Sequence, residues 1–152
     1  MKLEKILWML DSENDMLTQQ KGIELAGQIG NIADFILPMY PQYNKNVWEN
    51  CAKVIILKTN LELAPYLVKI LEWLQDLNWP GTFIIINRLL CFDGRLLAKA
   101  YIDVYNCARK APEENNEWLN HLSKLIENKE LVQNLNSEIY NHMMMRYRNF
   151  WQ

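Results

Sequence analysis

Catalysis by a nucleophile needs a base beside it, and this sequence offers few side chains for that role. Its two histidines, His121 and His142, lie in the last third of the chain among amphipathic neighbours. No Gly-x-Ser-x-Gly elbow precedes either, and no cysteine is close to them in sequence. Structural or exposed histidines are the better reading. The three cysteines, Cys51, Cys91 and Cys107, are odd in number, far apart and never paired as Cys-x-x-Cys. They signal neither a disulfide framework nor a zinc ribbon. Each sits in an apolar helical context, where a thiol is expected to act as a small hydrophobe.

Other chemistries fare no better. Metal patterns such as His-Glu-x-x-His do not occur, and Gly27-Gln28-Ile29-Gly30 lacks the lysine that a phosphate loop needs. Eighteen acidic residues could converge as a carboxylate pair anywhere, but most fall at turns or on polar helix faces. Solvation and capping account for them there. The expectation is a non-enzyme with no catalytic residue, cofactor or metal ligand, leaving a small hydrolase with an unrecognised carboxylate pair as the minor alternative.

The elements that would position any site are helical. The chain has 152 residues, half of them hydrophobic, with six Trp and seven Tyr. That length suits one domain burying roughly two-thirds of its unfolded surface. Five Gly and five Pro give little punctuation for a many-stranded fold. Leu3, Ile6, Leu7 and Leu10 share one face of a short first helix. Ser12 with Asp15 resembles a capping pair for a second helix carrying Leu17, Ile23, Leu25, Ala26 and Ile29. Gly30-Asn31 breaks it, and a third helix is expected to about Tyr40. Asn46 with Glu49 resembles another capping pair, opening a helix through Leu57. Residues 61–75 are the cleanest amphipathic stretch, with Pro65 tolerable only in the first turn. Helices to about Cys91 and to Ala108 follow, although Phe83-Ile84-Ile85-Ile86 also suits a buried strand. Two more, about 113–127 and 129–149, end the chain.

Asn14, Asn46 and Asn78 recur at intervals of 32 residues, each before or at the start of a helix. Apolar positions keep that register, as in Leu25, Leu57 and Leu89. A repeat of this length with two helices per unit predicts an all-α, HEAT-like α-solenoid of antiparallel helical hairpins, about eight helices in all. The units would be about 12–43, 44–75 and 76–111, with a C-terminal helical cap over 112–152 in one single domain. A plain helical bundle is the competing architecture.

Charge narrows the partner. The net charge is −2, so neither nucleic acid nor an anionic membrane is expected to be attracted broadly. No apolar run of 18 residues occurs, and Lys2-Leu3-Glu4-Lys5 followed by five apolar residues is too charged and short for a signal peptide. A cytoplasmic location is the simplest expectation. Residues 1–80 carry ten acids against seven bases, whereas all five arginines lie beyond Pro80. In a solenoid, the acidic turn Asp11-Ser12-Glu13-Asn14-Asp15 would neighbour Asn44–Asn46 and Asp76–Trp79 along one edge. Acids, amides and tryptophans there suit protein recognition, in which aromatics anchor and charge steers. The candidate partner-binding residues are therefore Asp11, Glu13, Asp15, Trp48, Glu49, Asp76 and Trp79. Helix capping and core tryptophans are the alternative reading. The ending Met143–Trp151 has a basic-aromatic character, read as a last helix docking its Met and aromatic face on the final repeat.

The segment Leu71-Glu72-Trp73-Leu74-Gln75-Asp76-Leu77-Asn78-Trp79-Pro80-Gly81 resembles the signature of a bacterial family of small helical domains of unknown function. That box is a tryptophan at a helix end, then Leu-Gln-Asp, then Asn-Trp-Pro opening the next helix, and residues 61–92 carry the strong resemblance. Such domains are similar to helical-repeat immunity proteins of bacterial polymorphic toxin and contact-dependent growth inhibition systems. The resemblance implies a protein that binds and occludes a cognate toxin domain, with nucleases the toxin class that an acidic edge would suit, and it supplies no catalytic residues. A helical adaptor or regulatory scaffold for an endogenous protein is the alternative. Trp73, Asp76, Asn78, Trp79 and Pro80 either bind a partner or lock two helices together.

Overall fold

The computed structural model describes residues 2–38, 44–112 and 116–152, and all of their regular structure is helical. The helices are α1 (Leu3–Met9), α2 (Met16–Ala26), α3 (Trp48–Ile56), α4 (Asn60–Leu63), α5 (Leu67–Leu71), α6 (Thr82–Leu90), α7 (Gly94–Ala108), α8 (Glu117–Leu122), α9 (Lys129–Gln133) and α10 (Ser137–Trp151). Short 3-10 turns extend or join several of them, notably Ala64–Tyr66, Glu72–Gln75 and Ser123–Glu127. The β-branched run at 83–86 is part of α6.

Elements stack in order, as a solenoid requires. α2 packs on α3, α3 on α6, α6 on the turn at 123–127, and that turn on α10. In the second layer α5 packs on α7, and α7 on α9. A continuous core runs from Ile6 to Met143. Polar side chains stitch the layers by reaching back to carbonyls near the ends of preceding helices. Lys58 Nζ donates to the Gly27 carbonyl at 2.8 Å, and Arg88 donates to the Lys58 carbonyl at 3.0 Å. Further along, Asn128 donates to the Leu89 and Phe92 carbonyls, Asn116 to Ala108, and Trp118 to Leu71. These bonds add acceptor partners for backbone carbonyls at or near helix ends, where intrahelical donors run out.

Several local expectations are corrected. The second helix is capped by Asp15 alone, whose carboxylate accepts from Thr18 N–H at 2.8 Å. Leu17 is exposed, because Gly22 and Ala26 form the buried stripe of α2. No α-helix forms over residues 31–38. A 3-10 turn spans Ile32–Phe35, and Leu37, at φ 45°, cannot continue it; Tyr40 lies outside the described residues. α3 is entered from a 3-10 turn with Val47, not Asn46, as its N-cap. Pro65 lies beyond the first turn, since Thr59 and Glu62 form a capping box that starts the helix at Asn60. Lacking an N–H, Pro65 sits where the helix tightens locally to 3-10 geometry. The last expected helix divides, because Asn136 accepts from Ile139 N–H and starts α10 afresh. Of the cysteines only Cys51 is buried; Cys91, at the C-cap of α6, and Cys107, on α7, are exposed.

Candidate functional site

Three turns meet along one edge. The turn before α2 is joined to the turn before α3 by Ser12 N–H donating to the Asn46 carbonyl at 3.0 Å. Asn50, on α3, reaches back with Nδ2 to the Leu10 carbonyl at 2.7 Å and to Gln19 Oε1 at 2.9 Å. The turn before α6 joins the same edge through the rings of Trp48 and Trp79, which meet edge-on at 5.3 Å between centroids.

Within the edge, the acids do different work. Asp11 Oδ1 accepts from Glu13 N–H at 2.8 Å, and Asp76 Oδ1 accepts from Asn78 N–H at 2.8 Å. These are turn-forming bonds of the kind short acidic side chains make. The Thr18 N–H at Asp15 holds that carboxyl below its ordinary pKa, which keeps it ionised at the positive end of α2. Glu13 and Glu49 are exposed. Trp48 is buried, and its indole N–H donates to the Pro38 carbonyl at 2.9 Å. Trp79 is half-buried, and Lys45 Nζ lies 5.4 Å from the ring centroids of both Trp48 and Trp79. Trp48 thus belongs to the framework. A cation occupies the middle of the edge, and the acids gather at its first turn.

That first turn carries more than charge. Trp8 is 54% exposed, Met16 63% and Leu17 80%, and they flank Asp11–Asp15 on both sides in sequence. The turn between them is held by Asn14 Nδ2 donating to the Trp8 carbonyl at 2.6 Å and by Gln19 Nε2 donating to the Asn14 carbonyl at 2.6 Å. Surface apolar side chains are ordinary singly, and these three fall within one short stretch of sequence on either side of the turn. The sequence places Leu17 on the apolar stripe of its helix and does not single out Trp8, Met16 or Lys45. Trp8 carried a signal, because it falls off the Leu3, Ile6, Leu7, Leu10 stripe and so must face away from the core.

No family, curated protein or solved structure matches this chain.

The titratable groups of the C-terminal half form a second polar cluster. His121 Nδ1 donates to the Leu74 carbonyl at 2.6 Å. Tyr105 Oη lies 2.6 Å from His142 Nδ1, and Arg146 Nε donates to His142 Nε2 at 3.3 Å. An arginine has no acceptor to offer, so Nε2 must hold a lone pair and the neutral ring carries its proton on Nδ1. Burial first, and then the Arg109 guanidinium, lower the His142 pKa below its ordinary 6.5, with Glu138 opposing. A depressed folded pKa means that the unfolded chain protonates first as the pH falls. The contribution of His142 is therefore complete above about pH 6.5 and is lost as the pH drops through its lower folded value. Denaturation midpoints at pH 7.5 and pH 5 should show this decline, and His142→Gln should make it shallower. An equal decline in that variant would place the acid sensitivity elsewhere.

Among the described residues no group of three or more His, Cys, Asp or Glu side chains is arranged to hold a metal ion. Nor, among them, is any helix long and apolar enough to cross a membrane.

Proposed function

We propose that this chain is a non-catalytic protein-binding domain whose contact surface is the acidic, apolar-flanked turn at the start of α2. The observation that carries this reading is the exposure of Trp8, Met16 and Leu17 around a turn fixed by hydrogen bonds and bearing Asp11, Glu13 and Asp15. Large apolar groups ringed by charge make the centre and rim of a protein interface. Fixing the turn beforehand lowers the entropy that binding would otherwise lose.

The partner that this chemistry fits is a basic surface with an apolar recess. Together with the likeness of the Trp73–Pro80 box to a family similar to immunity proteins, this supports a cytoplasmic immunity protein. It would cover the cleft of a cognate toxin domain, and a nuclease, whose cleft must attract phosphate, offers such a basic surface. Glu49, Asp76 and Trp79 extend the contact along the edge, while Trp48 supports it from beneath.

Co-expression with the product of the neighbouring toxin gene tests the reading. A stable complex and restored growth are expected. Continued toxicity with no complex would remove the immunity reading and leave an adaptor with an endogenous partner.

A further inference from the structure

α10 is the last helix of the stack, and its outward face is left without a neighbour among the described residues. Along this face run two ridges, Tyr140–Met144–Arg148 and Asn141–Met145–Asn149, with a groove of about 380 Å³ lined by these six side chains. Met145 is 54% exposed at its centre. A groove between two ridges of four-residue spacing is the feature into which a ridge of another helix packs. Solenoid ends normally present a polar outer face to stay soluble, and the exposed Met145, beside a half-buried Met144, departs from that.

The face is also self-complementary. Met144 and Met145 straddle the midpoint of Tyr140 and Asn149, and equally that of Asn141 and Arg148. A two-fold axis through that midpoint sets each methionine pair on its copy and Arg148 opposite Asn141. Glu138 lies about 20° around the helix from Met145, one turn beyond Asn141. In the antiparallel pairing, the Arg148 guanidinium of one copy therefore comes within side-chain reach of Glu138 in the other. Both are exposed, and neither takes part in an ion pair within its own chain among the described residues.

We infer that α10 is a self-association surface, on which a second copy of this chain packs isologously through Met144, Met145 and the Glu138–Arg148 pair. An isologous contact closes after two copies, so the product is a dimer and not a filament. It leaves the acidic turn of α2, at the opposite end of the stack, open to a partner.

Sedimentation equilibrium of the purified chain tests this. One helix face is a small interface, so a dissociation constant of about 10–100 µM is expected. Met145→Lys should abolish association, and Arg148→Glu should weaken it roughly tenfold. The double variant Glu138→Arg, Arg148→Glu should restore it, because a two-fold axis pairs each new charge with its opposite. These positions are exposed, so the variants should fold, and thermal melts will verify it. A single monomeric species up to about 500 µM, well above the expected constant, would overturn the inference. So would association that survives Met145→Lys or is lost instead in Leu17→Ser.

Discussion

Replacing Trp73 with Ala is expected to lower the stability by about 3–5 kcal/mol, the range for emptying a large buried aromatic site. The side chain is fully buried, its ring lies 6.2 Å from that of Trp48, and its indole N–H donates to the Pro80 carbonyl at 2.9 Å. Removing it leaves a cavity and an unsatisfied acceptor at the junction of two helices. Trp79, half-buried beside Trp48 and Lys45, has less to lose, and Trp79→Ala should cost only about 1–2 kcal/mol. The box is thus a lock built around Trp73. Thr82 Oγ1, which donates to the Asp76 and Trp73 carbonyls, closes it from the α6 side. Gly81 completes it at φ 90°, where a Cβ would come within 2.8 Å of the Ala52 Cβ. Chemical denaturation of both variants checks this, and equal losses from the two would contradict it.

A comparable loss is expected from a single methyl group at the start of α7. A Cβ on Gly94 would lie 2.2 Å from Leu131 N and 2.3 Å from Glu130 C. Both are backbone atoms, so no rotamer change relieves the clash, and α7 and α9 must separate. Their contact also includes Gly94 N–H donating to Glu130 Oε1 at 2.5 Å, beside the Asp93 side chain that caps α7. Gly94→Ala should therefore cost about 3 kcal/mol, at the upper end for overpacking. For a domain of this size, that lowers the melting temperature by roughly 6–12 °C. Gly30, with open space where its Cβ would stand, is the control. Gly30→Ala should be close to neutral, and similar melting temperatures for the two variants would refute the packing argument.

Fold class was legible because it rests on periodicity, which local sequence carries. The turn at Phe92-Asp93-Gly94 and the helical pattern through Ala108 define α7 without reference to anything distant. Where the expectation failed, the deciding contact was remote. Asn46 looks like a cap in sequence, but it lies within the 3-10 turn Asn44–Val47 that leads to Val47 as the N-cap, and that turn is tied to Ser12 of another unit. Leu17 fits an apolar stripe in sequence, yet Gly22 is the residue that packs on Met9, and this turns Leu17 outward. The candidate edge shows the same division. Acids at a turn can be read from the sequence, and so can the misfit of Trp8 with its helix stripe. Burial of Trp48 under Pro38 and the cation between Trp48 and Trp79 cannot, because they depend on how three turns approach one another.

The most direct test of partner recognition is the association rate of the purified chain with its cognate toxin domain across a salt series. Reversing Glu13 and Asp15 to Lys should slow association roughly tenfold at low salt, with the gap closing as salt rises. Trp8→Ala and Leu17→Ser should instead speed dissociation, as expected of anchors within the contact. Folding should survive, although losing the Asp15 cap costs up to about 1 kcal/mol. An association rate indifferent to the reversals and to salt, with dissociation unchanged by Trp8→Ala, would contradict the account and move the contact away from the first turn.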